Sequence, residues 1–512
     1  MPRLREDWRR GRPGGHNNEQ FCNQAVLDLL SSLTNKHVLL RWFLIGAIVC
    51  VGFVAYRATQ LGAPASEFHL SPSGLAISTA YQDAVARCQH LMTVDHHPHY
   101  CGELAYGPPY EDPPTVAQAA RMGVAEFADA RRGVNADLTA KVLPWQWIYA
   151  SGLWGGHLIA HWWQSALALR TMLRYLELTH NTDPGFQTIL MRLYERERSN
   201  PFAIAYTNFA NMFGDDTAWW GLAWLEAAKY ELNVRHDVAD ARTFLGLAKY
   251  DANFLDKRAR MCGGVEWKIG YPPDTITGAE YASLVGELYS YENAPGPLQD
   301  SADAPRWLAQ ARDTVAWLQR KHLIDVRTGR VRNGLQVGCK QTLGGPLTYT
   351  QGQVADALIQ LGTALHDRTY YRQANTFLRY TLSEQAGFVN KNTGILQEKC
   401  ERDRTACTGD KQYLDILSWK GILMQALQDY RVATGSTEYD AFILRQARAI
   451  VHNSIRRPDG SPGRCDTEDS CQFVFYWGWP LSPARSGFVN QATQMDAIDA
   501  LTAALAVNPN SA

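Results

Sequence analysis

The stretch MFGDDTAWWGLAWLEAAKY, residues 212–230, places two adjacent aspartates directly before a tryptophan-rich helical pattern. Trp220, Ala223, Trp224 and Ala227 recur at three- and four-residue spacing, which predicts one buried stripe along a helix. One polar side chain is enough to cap a helix start. The second carboxylate therefore needs an explanation of its own.

The composition describes a large folded protein with almost no net charge. The 512 residues include 50 Lys and Arg against 51 Asp and Glu, a formal charge of −1. This balance gives no electrostatic reason to expect a nucleic-acid partner. The chain also holds 16 Trp and 23 Tyr. A large aromatic core explains them most simply, and a sugar-binding cleft is the alternative, because flat apolar sugar faces stack on aromatic rings.

The N-terminal part is predicted to lie outside the folded domain. Residues 1–36 are rich in arginine and polar residues, which is typical of a disordered basic tail. Residues 37–57 are predicted to form one transmembrane signal anchor, with Arg41 snorkelling to the interface, and residues 58–74 a linker. A cleaved signal peptide is the alternative, but the long leader favours the anchor. The rest of the chain would then face the outside or a lumen.

Eight of the ten cysteines follow this segment, and an even number favours disulfide bonds in an oxidising compartment. Three pairs are close in sequence, and the remaining two cysteines pair by elimination, although sequence does not fix connectivity. Zinc is the less favoured alternative, because no C-x2-C pair has a matching His-rich half. The predicted pairs are Cys88–Cys101, Cys400–Cys407, Cys465–Cys471 and Cys262–Cys339.

Residues 75–512 are predicted to form one all-α domain, because helical periodicity recurs and strand-like alternation is scarce. Helices rich in Trp, Gly and small residues alternate with more polar ones. Roughly 35 residues per helix and loop leave room for about twelve helices. A ring of paired helices, an (α/α)6 toroid, buries one helix of each pair completely. A solenoid is the alternative, but no fixed repeat supports it.

Two loops carry residues suited to a polar ligand. In MCGGVEWKIG, residues 261–270, two glycines that permit close backbone approach stand near Trp267. In GGPLTYTQGQVADAL, residues 344–358, Tyr349 and Gln351 stand at a helix start. Both side chains can donate hydrogen bonds to sugar hydroxyls, and both can equally cap the helix.

Several sequence blocks, in order along the chain, resemble glycoside hydrolase family 76, the α-1,6-mannanases and related fungal cell-wall proteins. GDDTAWWGLAW is similar to the family's acidic-pair and double-tryptophan signature. The further similar blocks, over most of residues 143–505, are HWWQSALAL, CGGVEW, LTYTQGQV, CERDRTAC with LSWKGIL, and ATQMDAIDAL. The resemblance implies an (α/α)6 fold and retaining hydrolysis, or transglycosylation, of α-1,6-linked mannose.

The resemblance also assigns roles to individual residues. It implies that Asp215 is the nucleophile and Asp216 the acid/base of a retaining mechanism, which uses two carboxyl groups about 5–5.5 Å apart. Gly214 would allow the backbone to bend there. No metal and no cofactor are expected. The predicted substrate contacts are Trp162, Gln164, Trp219, Trp220, Trp267, Tyr349 and Gln351.

Departures from the family pattern leave the exact glycan open. Gly278, Leu347 and Thr350 stand where the family commonly has Asn, Trp and Asn. A helix cap is the alternative for the acidic pair. A non-catalytic glycan-binding or scaffold protein, or an enzyme of another α-linked glycan, is the alternative for the domain. Two retained aspartates favour an enzyme, whose expected partners are a cell-surface glycan and, through one helix, the membrane.

Overall fold

The structure is a computed structural model, and it describes residues 114–127, 153–154, 162–198, 208–258, 260–403, 415–456, 471–478 and 491–508. The predicted tail, signal anchor and linker, residues 1–74, lie outside these ranges. In the ranges that are described, every helix is too short or too polar to cross a bilayer.

Helices dominate the described chain, as the periodicity predicted. They are α1 Val116–Phe127, α2 Trp162–Thr179, α3 Pro184–Glu197, α4 Gly214–Tyr230, α5 Val238–Asp256, α6 Thr275–Asn293, α7 Ala304–Arg320, α8 Thr348–Leu365, α9 Arg368–Leu382, α10 Lys399–Asp403, α11 Trp419–Thr434, α12 Asp440–Ala449 and α13 Gln491–Val507. Short strands form antiparallel pairs: β1 Ile324–Asp325 with β2 Arg330–Val331, β3 Gly334–Leu335 with β4 Thr342–Leu343, and β5 Ile455–Arg456 with β6 Gln472–Phe473.

Six of the described helices contact one another in a closed ring. The order is α2, α4, α6, α8, α11 and α13, and α13 returns to contact α2. The more exposed helices pack against this ring: α5 on α4, α7 on α6, α9 on α8, and both α1 and α12 on α13. Within the described residues, the predicted ring of inner and outer helices is confirmed.

The ring helices run in the same direction. Gly214 of α4 lies against Thr277 of α6, and Gly221, seven residues on, lies against Leu284, which is seven residues beyond Thr277. Each other pair of neighbouring ring helices also makes at least two contacts, which move toward the C-terminal ends of both helices together. The N-terminal ends of the six helices therefore meet at one rim, which we call the mouth.

The tryptophans of α4 lie in the core. Trp220, Ala223, Trp224 and Ala227 have no exposed surface, which confirms the predicted buried stripe. The rings of Trp220 and Trp224 stack with centroids 5.9 Å apart. Core packing thus accounts for this helix's tryptophans. The rings around them are Trp162, Tyr194, Phe209 and Phe244.

Paired charges fill the ring interior beyond the mouth. Arg174 of α2 makes two hydrogen bonds to Asp429 of α11, at 2.7 and 3.3 Å. Lys229 of α4 lies 2.9 Å from Glu287 of α6. Losing one partner would leave a buried charge unpaired, which is strongly destabilising. These pairs therefore help to fix the ring helices relative to one another.

The disulfide predicted by elimination is confirmed. Cys262 is bonded to Cys339, with the Cα atoms 5.6 Å apart, and it ties the loop before α6 to the loop between β3 and β4. Cys400 and Cys471 are also disulfide-bonded. Their predicted partners, Cys407 and Cys465, lie outside the described residues. So do both cysteines of the predicted pair Cys88–Cys101.

Candidate active site

The two adjacent aspartates occupy the first turn of α4, at the mouth. No side chain caps this helix, and the N–H of Asp216 donates to Oδ1 of Asp215 at 3.0 Å. A Cβ on Gly214 would lie 2.4 Å from the carbonyl oxygen of Glu266 and 2.8 Å from Thr277. Gly214 is already helical, so the structure needs it for this close approach and not for the predicted bend.

Gly214→Ala is expected to lower the free energy of unfolding by about 1–3 kcal/mol, because the added methyl group overpacks the contact with Glu266. Gly246→Ala is the matched control. A Cβ at Gly246 in α5 meets nothing within 4 Å, so alanine there should raise stability by about 0.4–1 kcal/mol. Urea unfolding followed by circular dichroism measures both changes, and equal midpoints for the two variants would contradict this packing role.

A hydrogen bond from Trp267 holds the side chain of Asp215. The indole Nε1 donates to Oδ2 of Asp215 at 2.9 Å. Two backbone hydrogen bonds position the loop that carries Trp267. Gly214 N donates to Trp267 O at 2.6 Å, and Ile269 N donates to Met212 O at 3.1 Å. Burial raises the pKa of Asp215 to about 6, while the bonds from Trp267 and the backbone of Asp216 limit the rise. Asp215 is therefore largely ionised at neutral pH.

Asp216 lies in a different environment. It is buried, and its Oδ2 accepts a hydrogen bond from Nδ2 of Asn211 at 2.6 Å. The side-chain oxygen of Asn211 accepts from the N–H of Phe213 at 2.7 Å, and its backbone N–H donates to the hydroxyl oxygen of Thr217 at 3.1 Å. Burial and the neighbouring charge of Asp215 raise the pKa of Asp216 well above its usual range. At neutral pH the pair therefore holds one proton and one negative charge.

Three further ring helices bring polar and aromatic groups to the mouth. Asp274 caps α6 by accepting from the N–H of Thr277 at 3.0 Å, and burial and the charge of Asp215 raise its pKa to about 7. Tyr349 at the start of α8 stacks on Trp419 at the start of α11, with ring centroids 4.6 Å apart. Burial and the charges of Asp274 and Asp215 raise the pKa of Tyr349, as expected for a phenol beside the acids.

The two predicted glutamines bond within the protein. Gln351 has no accessible surface, and its amide nitrogen donates to the carbonyl oxygen of Gly329 at 2.8 Å and to the hydroxyl of Thr381 at 2.9 Å. These bonds link α8, α9 and the β1–β2 turn, and the sugar contact of Gln351 stays a prediction. Gln164 is also buried and accepts from the amide of Gln491 at 2.8 Å, which joins α2 to α13.

The predicted tryptophans separate into two groups. Trp267 donates a hydrogen bond to Asp215, whereas Trp220 has no accessible surface and packs in the core. Trp162 and Trp219 are also buried, with 6% and 3% of their surface exposed. Of the seven predicted contacts, Trp267 bonds to Asp215 and Tyr349 lies beside the acids, and the other five stay predictions.

The residues at the mouth that were not predicted as site residues include Asn211, Asp274 and Trp419. The motif PPDTIT, with Asp274 directly after two prolines, carries a helix-cap signal that locates it at a helix start. Trp419 begins α11 inside a block that resembles the family, but nothing in the sequence indicates its contact with Tyr349. Asn211 gives no sequence signal, because its role depends on the local fold.

One group of three described acids has the spacing of metal ligands, at the far end of α6 from the mouth. The carboxyl oxygens of Glu292, Asp300 and Asp303 lie within 4.8 Å of one another. The ammonium group of Lys249 lies 2.7, 2.9 and 3.0 Å from these three residues. Because the lysine already supplies a positive charge at this point, we assign the cluster to the fold.

The chain is similar in sequence to known glycosidases. The model of glycosyl hydrolase family 76 matches residues 136–511. Mannan endo-1,6-alpha-mannosidase DCW1 of Candida glabrata is 24% identical over 262 residues, which cover 49% of this chain and 55% of that protein. The match thus spans about half the length of this curated relative.

Solved structures share the fold. Dfg5 from Chaetomium thermophilum, in complex with glucosamine, matches with a TM-score of 0.59 and 18% identity over 78% of this chain and 92% of that one. An inactive variant of an α-1,6-mannanase from a Salegentibacter species, with two consecutive aspartates changed to asparagine and α-1,6-mannotriose bound, matches with a TM-score of 0.54. It is 17% identical over 76% of this chain and all of that one. At these identities the likeness is one of fold.

Proposed function

This chain belongs to glycosyl hydrolase family 76, and we propose that it is a retaining glycosidase or transglycosidase of α-1,6-linked mannose in cell-surface glycans. The observation that carries the proposal is the contrast between two neighbouring carboxyl groups. Asp215 accepts two hydrogen bonds and ionises near pH 6, whereas buried Asp216 keeps its proton to higher pH. A retaining mechanism needs one ionised and one protonated carboxyl group side by side.

In the first step, the carboxylate of Asp215 attacks the anomeric carbon and forms a glycosyl ester. Asp216 gives its proton to the glycosidic oxygen as the bond to the anomeric carbon breaks. Trp267 keeps Oδ2 of Asp215 in position through its indole N–H. Asp216 becomes a carboxylate, and the amide of Asn211, 2.6 Å away, stabilises the new charge.

In the second step, Asp216 acts as a base. It takes a proton from a water molecule or from a sugar hydroxyl, whose oxygen attacks the anomeric carbon and releases Asp215 as a carboxylate. Water gives hydrolysis, and a sugar acceptor gives transglycosylation. Two inversions at the anomeric carbon leave its configuration unchanged. The stacked rings of Tyr349 and Trp419 offer an aromatic surface for a sugar beside these acids.

The relatives support the choice of substrate. The Candida relative is named as a mannan endo-1,6-alpha-mannosidase, and the Salegentibacter variant, inactive with two consecutive aspartates replaced, binds α-1,6-mannotriose. Asp215 and Asp216 are likewise consecutive. We infer that they have the same importance in this chain.

The proposal is tested by assaying the purified full chain on α-1,6-mannan and on a panel of other α-linked glycans, with and without added acceptor sugars. We expect cleavage of α-1,6-mannan with retained configuration, detected by proton NMR of the first product. Binding without turnover on every glycan would favour the alternative of a non-catalytic glycan-binding or scaffold protein. If only a different glycan is cleaved, the assigned substrate changes and the proposed mechanism still applies.

We also propose that a basic tail at 1–36, a signal anchor at 37–57 and a linker at 58–74 precede the catalytic domain of 75–512, a toroid of six helical hairpins. The apolar run after an arginine-rich leader supports the anchor. The catalytic domain would then face the outside or a lumen. Retention in membranes after a carbonate wash, with the tail intact, is the expected result. A mature N-terminus near residue 60 in a soluble fraction would indicate a cleaved signal peptide.

Trp267→Phe is expected to shift the acidic limb of the pH–rate profile upward by about one unit, the equivalent of one neutral hydrogen bond to a carboxylate. The bond from Trp267 lowers the pKa of Asp215, so its loss raises that pKa above the present value of about 6. The nucleophile must be ionised, so the variant should lose activity relative to the wild type below about pH 7 and match it at higher pH.

Trp317→Phe is the matched control. Its indole N–H donates to the carbonyl oxygen of Cys262 at 3.0 Å, close to the same loop, but makes no bond to an acid. This variant should lose a similar hydrogen bond and leave the acidic limb unchanged. If both variants shift the limb equally, movement of the loop explains the effect and the bond from Trp267 does not set the pKa of Asp215.

A further inference from the structure

The mouth has a further carboxyl group, Glu280 of α6, that the proposed mechanism does not use. Its side chain has no exposed surface, and neither oxygen has a hydrogen-bond partner among the described residues. A buried, unpartnered carboxyl group is costly even when neutral and far more costly when ionised. Such a group in a folded protein requires an explanation.

The packing of α4 against α6 places Glu280 directly behind the acid pair. Gly214 lies against Thr277 and Gly221 against Leu284, which fixes the register of the two parallel helices. Glu280 is three residues beyond Thr277 and is therefore level with Thr217, the residue after Asp216. Along the ring axis it lies about one residue rise, roughly 1.5 Å, deeper than Asp216.

The charges around Glu280 oppose its ionisation. Asp215 and Asp216 act on it from α4, Asp274 from the start of its own helix, and Arg170 from α2. The phenol of Tyr349 faces it from α8. Arg170 is the one cation among these groups, and its Nε already lies 3.9 Å from Glu226. Burial and then the three aspartates raise the pKa of Glu280 well above its usual range.

We propose that Glu280 is a positioning residue of the acid pair. Glu280 keeps its proton in the working enzyme and lies behind Asp215 and Asp216 as a neutral polar group. This inference rests on the proposed function. A protonated carboxyl group adds no charge and offers one O–H donor, and the groups that face it include three carboxyl acceptors. Neither oxygen has a partner among the described residues, and we infer that in the working enzyme the O–H turns toward the ionised nucleophile. It then stabilises that charge without the repulsion that another carboxylate would bring. A buried carboxylic acid kept neutral as a donor is known from ketosteroid isomerase.

Glu280→Gln and Glu280→Met separate the charge of this group from its donor. Glutamine is neutral and keeps a donor, so kcat/KM should stay within about threefold of the wild type and both limbs of the pH–rate profile should keep their positions. Methionine has a similar shape and no donor. It should raise the pKa of Asp215, shift the acidic limb up by about one unit and lower the rate near pH 5 by about tenfold.

Asp251 of α5 provides the matched control. It is also fully buried, with both oxygens unpartnered among the described residues, and burial alone raises its pKa. Its Cβ lies 3.3 Å from the point where a Cβ on Gly221 would be, about one and a half turns below the acids. Asp251→Asn and Asp251→Leu should change stability and leave both limbs of the profile in place.

Two results would overturn the inference. If Glu280→Gln moves both limbs to lower pH, a negative charge has been removed, and Glu280 is ionised in the working enzyme. If Glu280→Met keeps the wild-type profile, as the Asp251 variants should, the group has only a structural role. Should Glu280→Met fail to fold, the glutamine variant alone still distinguishes the charged state from the neutral one.

A stability measurement tests the proton without any activity. Because the pKa of Glu280 is raised on folding, the stability of its protonated form is fully present below the unfolded pKa, about 4.3, and is lost as pH rises toward the folded value. Glutamine does not titrate, so the Tm of Glu280→Gln should rise relative to wild type between about pH 5 and 8. A relative fall would show that Glu280 is stabilised as a carboxylate. An inactive wild type would refute the proposed function and leave this result standing.

Discussion

Asp215→Ala is expected to reduce turnover of α-1,6-mannan by about 10⁴-fold or more, because the variant has no group to attack the anomeric carbon. The loss should be similar with an activated phenyl mannoside, since a better leaving group does not replace the nucleophile. Steady-state kinetics on both substrates, with mass spectrometry for the glycosyl-enzyme, measures the effect. We expect no covalent intermediate in this variant.

Azide should restore part of the activity of Asp215→Ala and thereby identify the missing role. The small anion enters the space left by the carboxylate and attacks the anomeric carbon once, so the mannosyl azide should have inverted configuration. Asp240→Asn is the matched control, because Asp240 is also in the first turn of its helix, the outer helix α5, away from the site. A mannosyl azide of retained configuration would contradict the role of Asp215 as nucleophile.

The main features of the fold were predictable because they follow from local patterns. The spacing of Trp220, Ala223, Trp224 and Ala227 predicted a buried stripe, and all four are buried. The pairing of Cys262 with Cys339 followed from counting. The ring was predicted from the alternation of apolar and more polar helices, and the resemblance to a family implied the same fold. The contacts that close it, between α13 and α2, join segments far apart in the chain, so no local pattern locates them.

The site was less predictable, because residue type does not determine what a side chain contacts. Trp220 and Trp267 stand in blocks of the same resemblance, yet one packs in the core and the other donates to Asp215. An amide such as Gln351 suits a sugar and a buried backbone carbonyl equally well. Asn211, which holds Asp216, reaches it through a turn that only the folded chain forms.

The position of the acids also has an electrostatic explanation that the sequence alone does not give. The N-terminal ends of the ring helices meet at the mouth, and each carries a partial positive charge of roughly half a unit. Asp215, Asp216 and Asp274 lie at the first turns of α4 and α6. The helix ends offset part of the repulsion among these carboxyl groups. This arrangement lets one acid ionise while its neighbour keeps its proton.

Asp216→Ala is expected to lower turnover of mannan by about 10²–10⁴-fold, the usual contribution of general acid catalysis. The nucleophile remains, so the loss depends on how much help the leaving oxygen needs. With a dinitrophenyl mannoside, whose phenolate departs unprotonated, the first step should be nearly as fast as in the wild type. The glycosyl-enzyme should then accumulate, because no base activates water. A burst of phenolate in stopped-flow measurements detects this.

Azide separates the role of Asp216 from that of its neighbour. In Asp216→Ala, azide needs no base and attacks the glycosyl-enzyme from the face where water would react, so it should speed the second step and give a mannosyl azide of retained configuration. The same reagent therefore gives opposite stereochemistry in the two variants if the roles are assigned correctly. If Asp215→Ala and Asp216→Ala both fold and keep wild-type turnover on mannan, as Asp240→Asn should, the pair only begins a helix and the two-aspartate mechanism is wrong.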